Sequence, residues 1–160
     1  GWQAWQAANG DLRNGHESRP ARQFHGQPQP HLMIDADGVE ALRHDPQALI
    51  LDARALERYT GEVEPFGPRA GHIPGAISAP FSANLHADGT LKSTDALKQR
   101  FDDLGVPQAG QVVCYCGSGV TATHNIFAMH VAGYDAKLYP GSWSDWSNNP
   151  DRPIATGEQP

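Results

Sequence analysis

This sequence predicts an α/β fold, a central parallel sheet with helices on both faces, and three observations carry the prediction. From residue 31 onward, short apolar runs alternate with helix-patterned segments, the order expected of strands joined by helical crossovers. The run at 48–51 is continuously apolar, as in a strand covered on both sides. The length, 160 residues, is that of one domain with one core.

The elements follow in order. Residues 31–34 predict a short strand, and Asp35 caps a helix that runs to about residue 43, where Asp45-Pro46 closes it. A strand at 48–51 leads into Asp52, then a helical turn at 55–59 and a long Gly/Pro loop. Gly71-His72-Ile73-Pro74-Gly75-Ala76 forms a turn before a strand at 77–78. Ser93 or Thr94 caps a helix over 95–104, which Gly105 and Pro107 end. A strand at 111–115, a helix at 120–131 and a strand at 136–139 complete the domain. In such sheets ligands sit at the carboxyl ends of strands.

Ahead of this domain, residues 6–30 are rich in Gln, Gly, Pro, Asn, Arg and His and read as a linker. Gly1-Trp2-Gln3-Ala4-Trp5 precedes it, and Gly141-Ser142-Trp143-Ser144-Asp145-Trp146 lies near the other end. In each, a Gly is followed by two Trp residues three apart, which share one face of a short helix and can pack on a sheet. Residues 1–5 are therefore expected to be the tail of a preceding homologous domain, the alternative being coincidence between two Trp-rich segments.

Composition narrows the function. A formal charge of −6 and the lack of a Lys/Arg run argue against nucleic acid and anionic lipid as partners. No apolar run is long enough to span a bilayer. Cys114 and Cys116 are the only cysteines, and a disulfide across one residue is strained, so a reducing compartment, the cytoplasm, is expected. The chain starts without Met, which leaves periplasmic or organellar targeting of a longer precursor open. The eight histidines have no metal-ligand spacing, so no metal is expected.

Cys116 carries the chemistry. The strand at 111–115 delivers it to a Gly117-Ser118-Gly119 turn that enters a helix directly. Free N–H groups of the loop and first turn, together with the helix dipole, favour a thiolate there. The glycines allow the backbone to wrap an anion on the sulfur, whether thiolate or persulfide. Two alternatives stand beside this: a buried core cysteine, and a phosphatase loop. The latter needs an Arg six residues after the nucleophile, and Ala122 occupies that position.

Cys116-Gly117-Ser118-Gly119-Val120-Thr121-Ala122 resembles the active loop of the tandem-domain rhodanese and 3-mercaptopyruvate sulfurtransferase family. Leu51-Asp52-Ala53-Arg54, the Gly71–Ala76 turn and Tyr139-Pro140-Gly141-Ser142-Trp143-Ser144-Asp145-Trp146 are similar to further family motifs, so the resemblance covers residues 31–157. It implies a rhodanese-like fold and a catalytic domain in which Cys116 accepts sulfane sulfur from a small anionic donor, with no organic cofactor needed. The resulting persulfide passes the sulfur to a thiol or cyanide acceptor, beside a preceding rhodanese-like domain of the same protein. Thiosulfate enzymes of the family more typically carry Arg and Lys at the positions of Gly117 and Ser118, which tilts the donor toward 3-mercaptopyruvate; the alternatives are thiosulfate as donor, or a persulfide relay or binding module that turns over no small donor.

The resemblance also assigns residues. Arg58 is the donor anchor, the alternative being a surface pairing with Glu57 or Glu62. Arg69 is a candidate second cation, although the loop 62–68 does not align cleanly with the longer family version. Gly117, Gly119 and Val120 shape the donor pocket. Ser118 is a candidate for proton transfer to the leaving enolate, and Thr121 for capping or for a hydrogen bond to sulfur. His72 is read as a loop-fixing residue rather than a base, Asp52 and Arg54 as a pair holding the strand end, Cys114 as core with a redox role as the alternative, and Trp143 and Trp146 as packing residues.

Overall fold

The computed structural model describes residues 1–160. Four strands, β1 (Ala48–Asp52), β2 (Ala76–Ser78), β3 (Gln111–Tyr115) and β4 (Lys137–Leu138), form one sheet in the order β2-β1-β3-β4. Every pairing is parallel, with Leu51 opposite Cys114 and Asp52 opposite Tyr115. The helices are α1 (Trp2–Ala7), α2 (Ala36–Leu42), α3 (Leu56–Thr60), α4 (Thr94–Asp103), α5 (Val120–Val131) and α6 (Ser142–Asn148).

Alternation along the strands divides the core in two. Leu49, Leu51 and Cys114 pack with Leu97 and Phe101 of α4 and Met129 of α5. Ile50, Val113 and Tyr115 pack on the other face with Val39 of α2 and Trp143 and Trp146 of α6. Both faces of β1 are thus dry, which is why its sequence is apolar at every position before Asp52. The caps form as expected: Asp35 accepts from the Gly38 amide at 2.9 Å and Ser93 from the Ala96 amide at 3.3 Å.

The strand expected at 31–34 does not form. Pro30 starts a 3-10 turn through Leu32, its fixed φ and missing N–H suiting the first position of a turn better than a ladder. Only Met33 bridges to Leu138, with the Ile34 amide donating to the Leu138 carbonyl at 2.9 Å. The two Trp pairs differ sharply. Trp143 and Trp146 are 1% and 0% exposed, whereas Trp2 and Trp5 on α1 are 63% and 51% exposed, with Trp5 lying over Gly10 and donating to the Asp11 carbonyl at 3.3 Å. Residues 8–29 contain no helix or strand.

Candidate active site

Cys116 is the first residue beyond β3, and α5 begins four residues later, so the sulfur lies at the carboxyl edge of the sheet beneath a helix start. One side of the loop is fastened to the beginning of α6. The carbonyls of Cys116 and Gly117 each accept from an α6 amide, Trp143 and Ser144, at 2.9 Å. The Cys116 amide donates to the Ser142 hydroxyl at 3.1 Å, which in turn donates to the Tyr139 carbonyl at 2.9 Å. Ser142 does this from a left-handed backbone with φ 54, a conformation that costs a non-glycine residue roughly 1–3 kcal/mol. Gly119 makes the other turn at φ 80, where an added Cβ would stand 2.6 Å from the Pro140 carbonyl oxygen.

With that side of the loop occupied, its remaining donors face the sulfur. Burial pushes the Cys116 thiol up, but hydrogen bonds from the Thr121 hydroxyl and from the amides of Ala122, Ser118 and Thr121 outweigh it and hold the thiol below its ordinary value. Cys114, two residues earlier, has no such donors. It lies against the Met129 sulfur at 3.9 Å, and burial pushes its thiol up to about 12. Two cysteines of one strand end therefore have opposite chemistry, one ionisable and one inert.

The sulfur opens onto a cavity of ≈ 210 Å³ whose only charged lining residues are Arg58 and Glu64. Arg58 reaches in from α3 and donates from Nη2 to Glu64 Oε1 at 2.8 Å, while its buried Nε has no acceptor. Its guanidinium lies so close over Gly117 that a Cβ there would be 3.3 Å from Nη1. The Phe66 ring sits 5.3 Å from the guanidinium carbon.

Behind Arg58 runs a line of alternating charges. Glu64 Oε2 accepts from Arg54 Nη1 at 3.2 Å, and Arg54 Nη2 donates to Asp52 Oδ2 at 2.6 Å and to the Gly71 carbonyl at 2.6 Å. Arg54 also stacks over Trp143, 4.5 Å from the ring centroid. Burial opposes the Arg54 charge, yet the hydrogen bonds and attraction of Asp52, joined by Tyr115 and Glu64, leave it more firmly protonated than usual. Asp52, Arg54 and Glu64 have side chains 0%, 1% and 4% exposed, so this ion line is buried and each charge depends on its neighbours.

Cys116, Gly117, Ser118, Val120, Thr121 and Arg58 meet around one cavity, with Gly119 behind it. Ser118 is an exposed residue of the lining, and Thr121 turns its hydroxyl to the sulfur. Arg69 lies apart from the cavity. Its guanidinium donates to the carbonyls of Ser147 at 2.8 Å, Arg152 at 3.0 Å and Trp146 at 3.3 Å, and also to Asn149, closing the end of α6. Each of its nitrogens has a backbone acceptor there, and Arg69 does not line the cavity that holds Cys116.

His72 is buried between the carbonyls of Tyr59 at 2.8 Å and Gln159 at 3.1 Å and stacks on the Tyr59 ring. Sequence reasoning passed over Glu64 and Ser142. The former sits in the loop that resisted alignment, and the latter in a motif valued for its tryptophans.

Residues 35–149 match the model of the rhodanese-like domain. This chain belongs to the rhodanese-like family. The "Probable 3-mercaptopyruvate sulfurtransferase" of Pseudomonas aeruginosa is 49% identical over 99% of this chain and 56% of its own length. The mitochondrial thiosulfate/3-mercaptopyruvate sulfurtransferase 1 of Arabidopsis thaliana is 38% identical over 81% of this chain and 35% of its own length. This rhodanese-like chain thus spans about half, or less, of the curated relatives it matches. Its backbone is similar to the anaerobic ergothioneine biosynthesis enzyme of Chlorobium limicola, with a TM-score of 0.87 at 24% identity over 98% of this chain and 40% of that one, a likeness of fold alone. No helix of the rhodanese-like chain is long and apolar enough to cross a membrane.

Proposed function

We propose that this rhodanese-like domain transfers sulfane sulfur through a persulfide on Cys116, with 3-mercaptopyruvate as the preferred donor. The observation that carries the reading is a thiol held below its ordinary value in the same small cavity as an Arg58 whose buried Nε has no acceptor. The Cys116 thiolate attacks the donor sulfur; the new S–S bond forms as the donor's C–S bond breaks. The electron pair leaves with the pyruvate carbon, which takes the proton that was on the donor sulfur, so that pyruvate and an anionic persulfide result. In this reading Ser118, which lines the same cavity, relays that proton. A thiolate or cyanide then takes the outer sulfur and returns Cys116 to the thiolate, a two-step covalent cycle. The amides of Ser118, Thr121 and Ala122 serve both halves, because they hold negative charge on Cys116 itself and on the sulfur added to it.

Thiosulfate is the alternative donor, with sulfite as its leaving group, and the Arabidopsis relative carries both donors in its name. The neutral Gly117-Ser118 pair favours the singly charged donor. Two free cysteines, one of which must stay ionised to work, suit a reducing compartment such as the cytoplasm. We also read residues 1–5 as the tail of a preceding homologous domain and 6–30 as the linker, because Trp2 and Trp5 are an apolar pair more than half exposed.

Replacing Arg58 tests the site. Arg58→Ala is expected to lower kcat/KM for sulfur loading by about tenfold to a hundredfold, the range for losing a charge-assisted anchor, with partial recovery in Arg58→Lys. The rate of sulfur transfer from preloaded persulfide to cyanide should change far less. Unaltered loading in Arg58→Ala would remove Arg58 from the mechanism.

A further inference from the structure

Glu64 is a second charged group lining the cavity, and sulfur transfer through Cys116 makes no use of it. Its carboxylate is fully engaged: Oε1 accepts from Arg58 at 2.8 Å and from the Phe66 amide at 3.1 Å, and Oε2 accepts from Arg54 at 3.2 Å. Arg54 does not need it for neutrality, because Asp52 already holds that guanidinium through Nε and Nη2. The line Asp52, Arg54, Glu64, Arg58 carries two charges of each sign, so the side chains around the cavity sum to zero before Cys116 ionises.

We propose that Glu64 is a specificity-determining residue that restricts the donor pocket to singly charged anions by neutralising half of what Arg58 offers. A donor entering against Arg58 meets the Glu64 carboxylate one guanidinium away. A monoanion offsets its repulsion from Glu64 by attraction to the Nη1 end of Arg58, which lies over Gly117 while Glu64 holds Nη2. A dianion doubles both the attraction and the repulsion, so the near-neutral Arg58–Glu64 pair returns it little, while its loss of hydration on entering is several times larger. At the same time Glu64 fixes the guanidinium over Gly117, so charge selection and anchor placement come from one side chain.

The inference rests on reading this cavity as the donor site, and its test separates the two. Sulfate and lactate are unreactive probes, doubly and singly charged, and titrating each into the full chain while following the Gly117, Ser118 and Thr121 amides by NMR gives their affinities. In Glu64→Gln, which keeps the shape and loses the charge, sulfate should tighten about tenfold to a hundredfold more than lactate, the effect of one unit charge at close range. Glu64→Asp, which keeps the charge and alters the geometry, should hold the native sulfate-to-lactate ratio within about threefold.

A ratio unchanged in Glu64→Gln overturns the proposal. So does an equal loss of selectivity in Glu64→Asp, which would make Glu64 only a support for Arg58, or the absence of any amide response to either anion. Sulfur loading of Cys116 is read independently by mass. Loading with an unaltered ratio sinks the selectivity proposal alone, and a shifted ratio without loading sinks the transfer reading alone.

Discussion

At the scale of single residues, Cys114 and Cys116 show how little the residue type decides. Both are buried, and both were legible as the end of one strand. The difference is the direction in which the loop's donors point, and a glycine-rich turn opening a helix made that legible for Cys116. The role of Thr121 was open between helix cap and sulfur ligand, because both use the same hydroxyl, and the fold sends it to sulfur. Thr121→Val removes one hydrogen bond to a charged acceptor and should raise the pH midpoint for iodoacetamide alkylation of Cys116 by about one unit. The sign follows from the shift: a lowered thiol stays thiolate until pH falls through its folded value, so weakening the donors makes reactivity fade at higher pH. An identical midpoint in the variant would show that the backbone amides alone set it.

Arg58 and Glu64 differ in legibility for the same reason that loops differ from helices. Arg58 follows a strand end at fixed spacing within an alignable motif. Glu64 sits in an irregular segment, where the partner of an arginine cannot be read from distance along the chain. Glu57 and Glu62 were nearer in sequence, yet the chain turns so that Glu64 arrives.

At the scale of elements, strands with a continuous apolar run and helices with caps were readable, since their signals are local. The segment 31–34 was not, because one proline weighs more on the backbone than the apolar residues after it. Where the Arg69 guanidinium sits was not legible either: resemblance offers it as a second cation for the donor, whereas the fold places it on the carbonyls at the end of α6. The docking of the Cys116 loop on α6 is a tertiary feature with no periodic signature. Ser142 holds that junction, and Ser142→Ala leaves the buried Cys116 amide without its acceptor. Urea denaturation should register a loss of about 1–3 kcal/mol, the cost of an unsatisfied buried donor. Stability equal to the native chain would mean that the α6 amides suffice to hold the loop.

At the scale of the whole molecule, the sheet edge brings together residues separated by long stretches of sequence. α3 supplies Arg58, the proposed anion anchor, the loop after β3 supplies Cys116, the proposed nucleophile, and α6 supplies the backbone support. Order along the chain and the parallel topology placed the first two, since both follow strands whose carboxyl ends share one edge. The charge line beneath them depends on packing around Trp143 and Gly71, which only the assembled fold brings into contact.

The central claim is that Cys116 carries sulfur. Incubating the chain with 3-mercaptopyruvate or thiosulfate, removing the donor and mapping peptides by mass spectrometry tests it most directly. The expected result is an addition of about 32 Da on Cys116, reversed by reductant, with Cys114 unmodified. No addition with either donor, or an addition on Cys114 instead, would contradict the account.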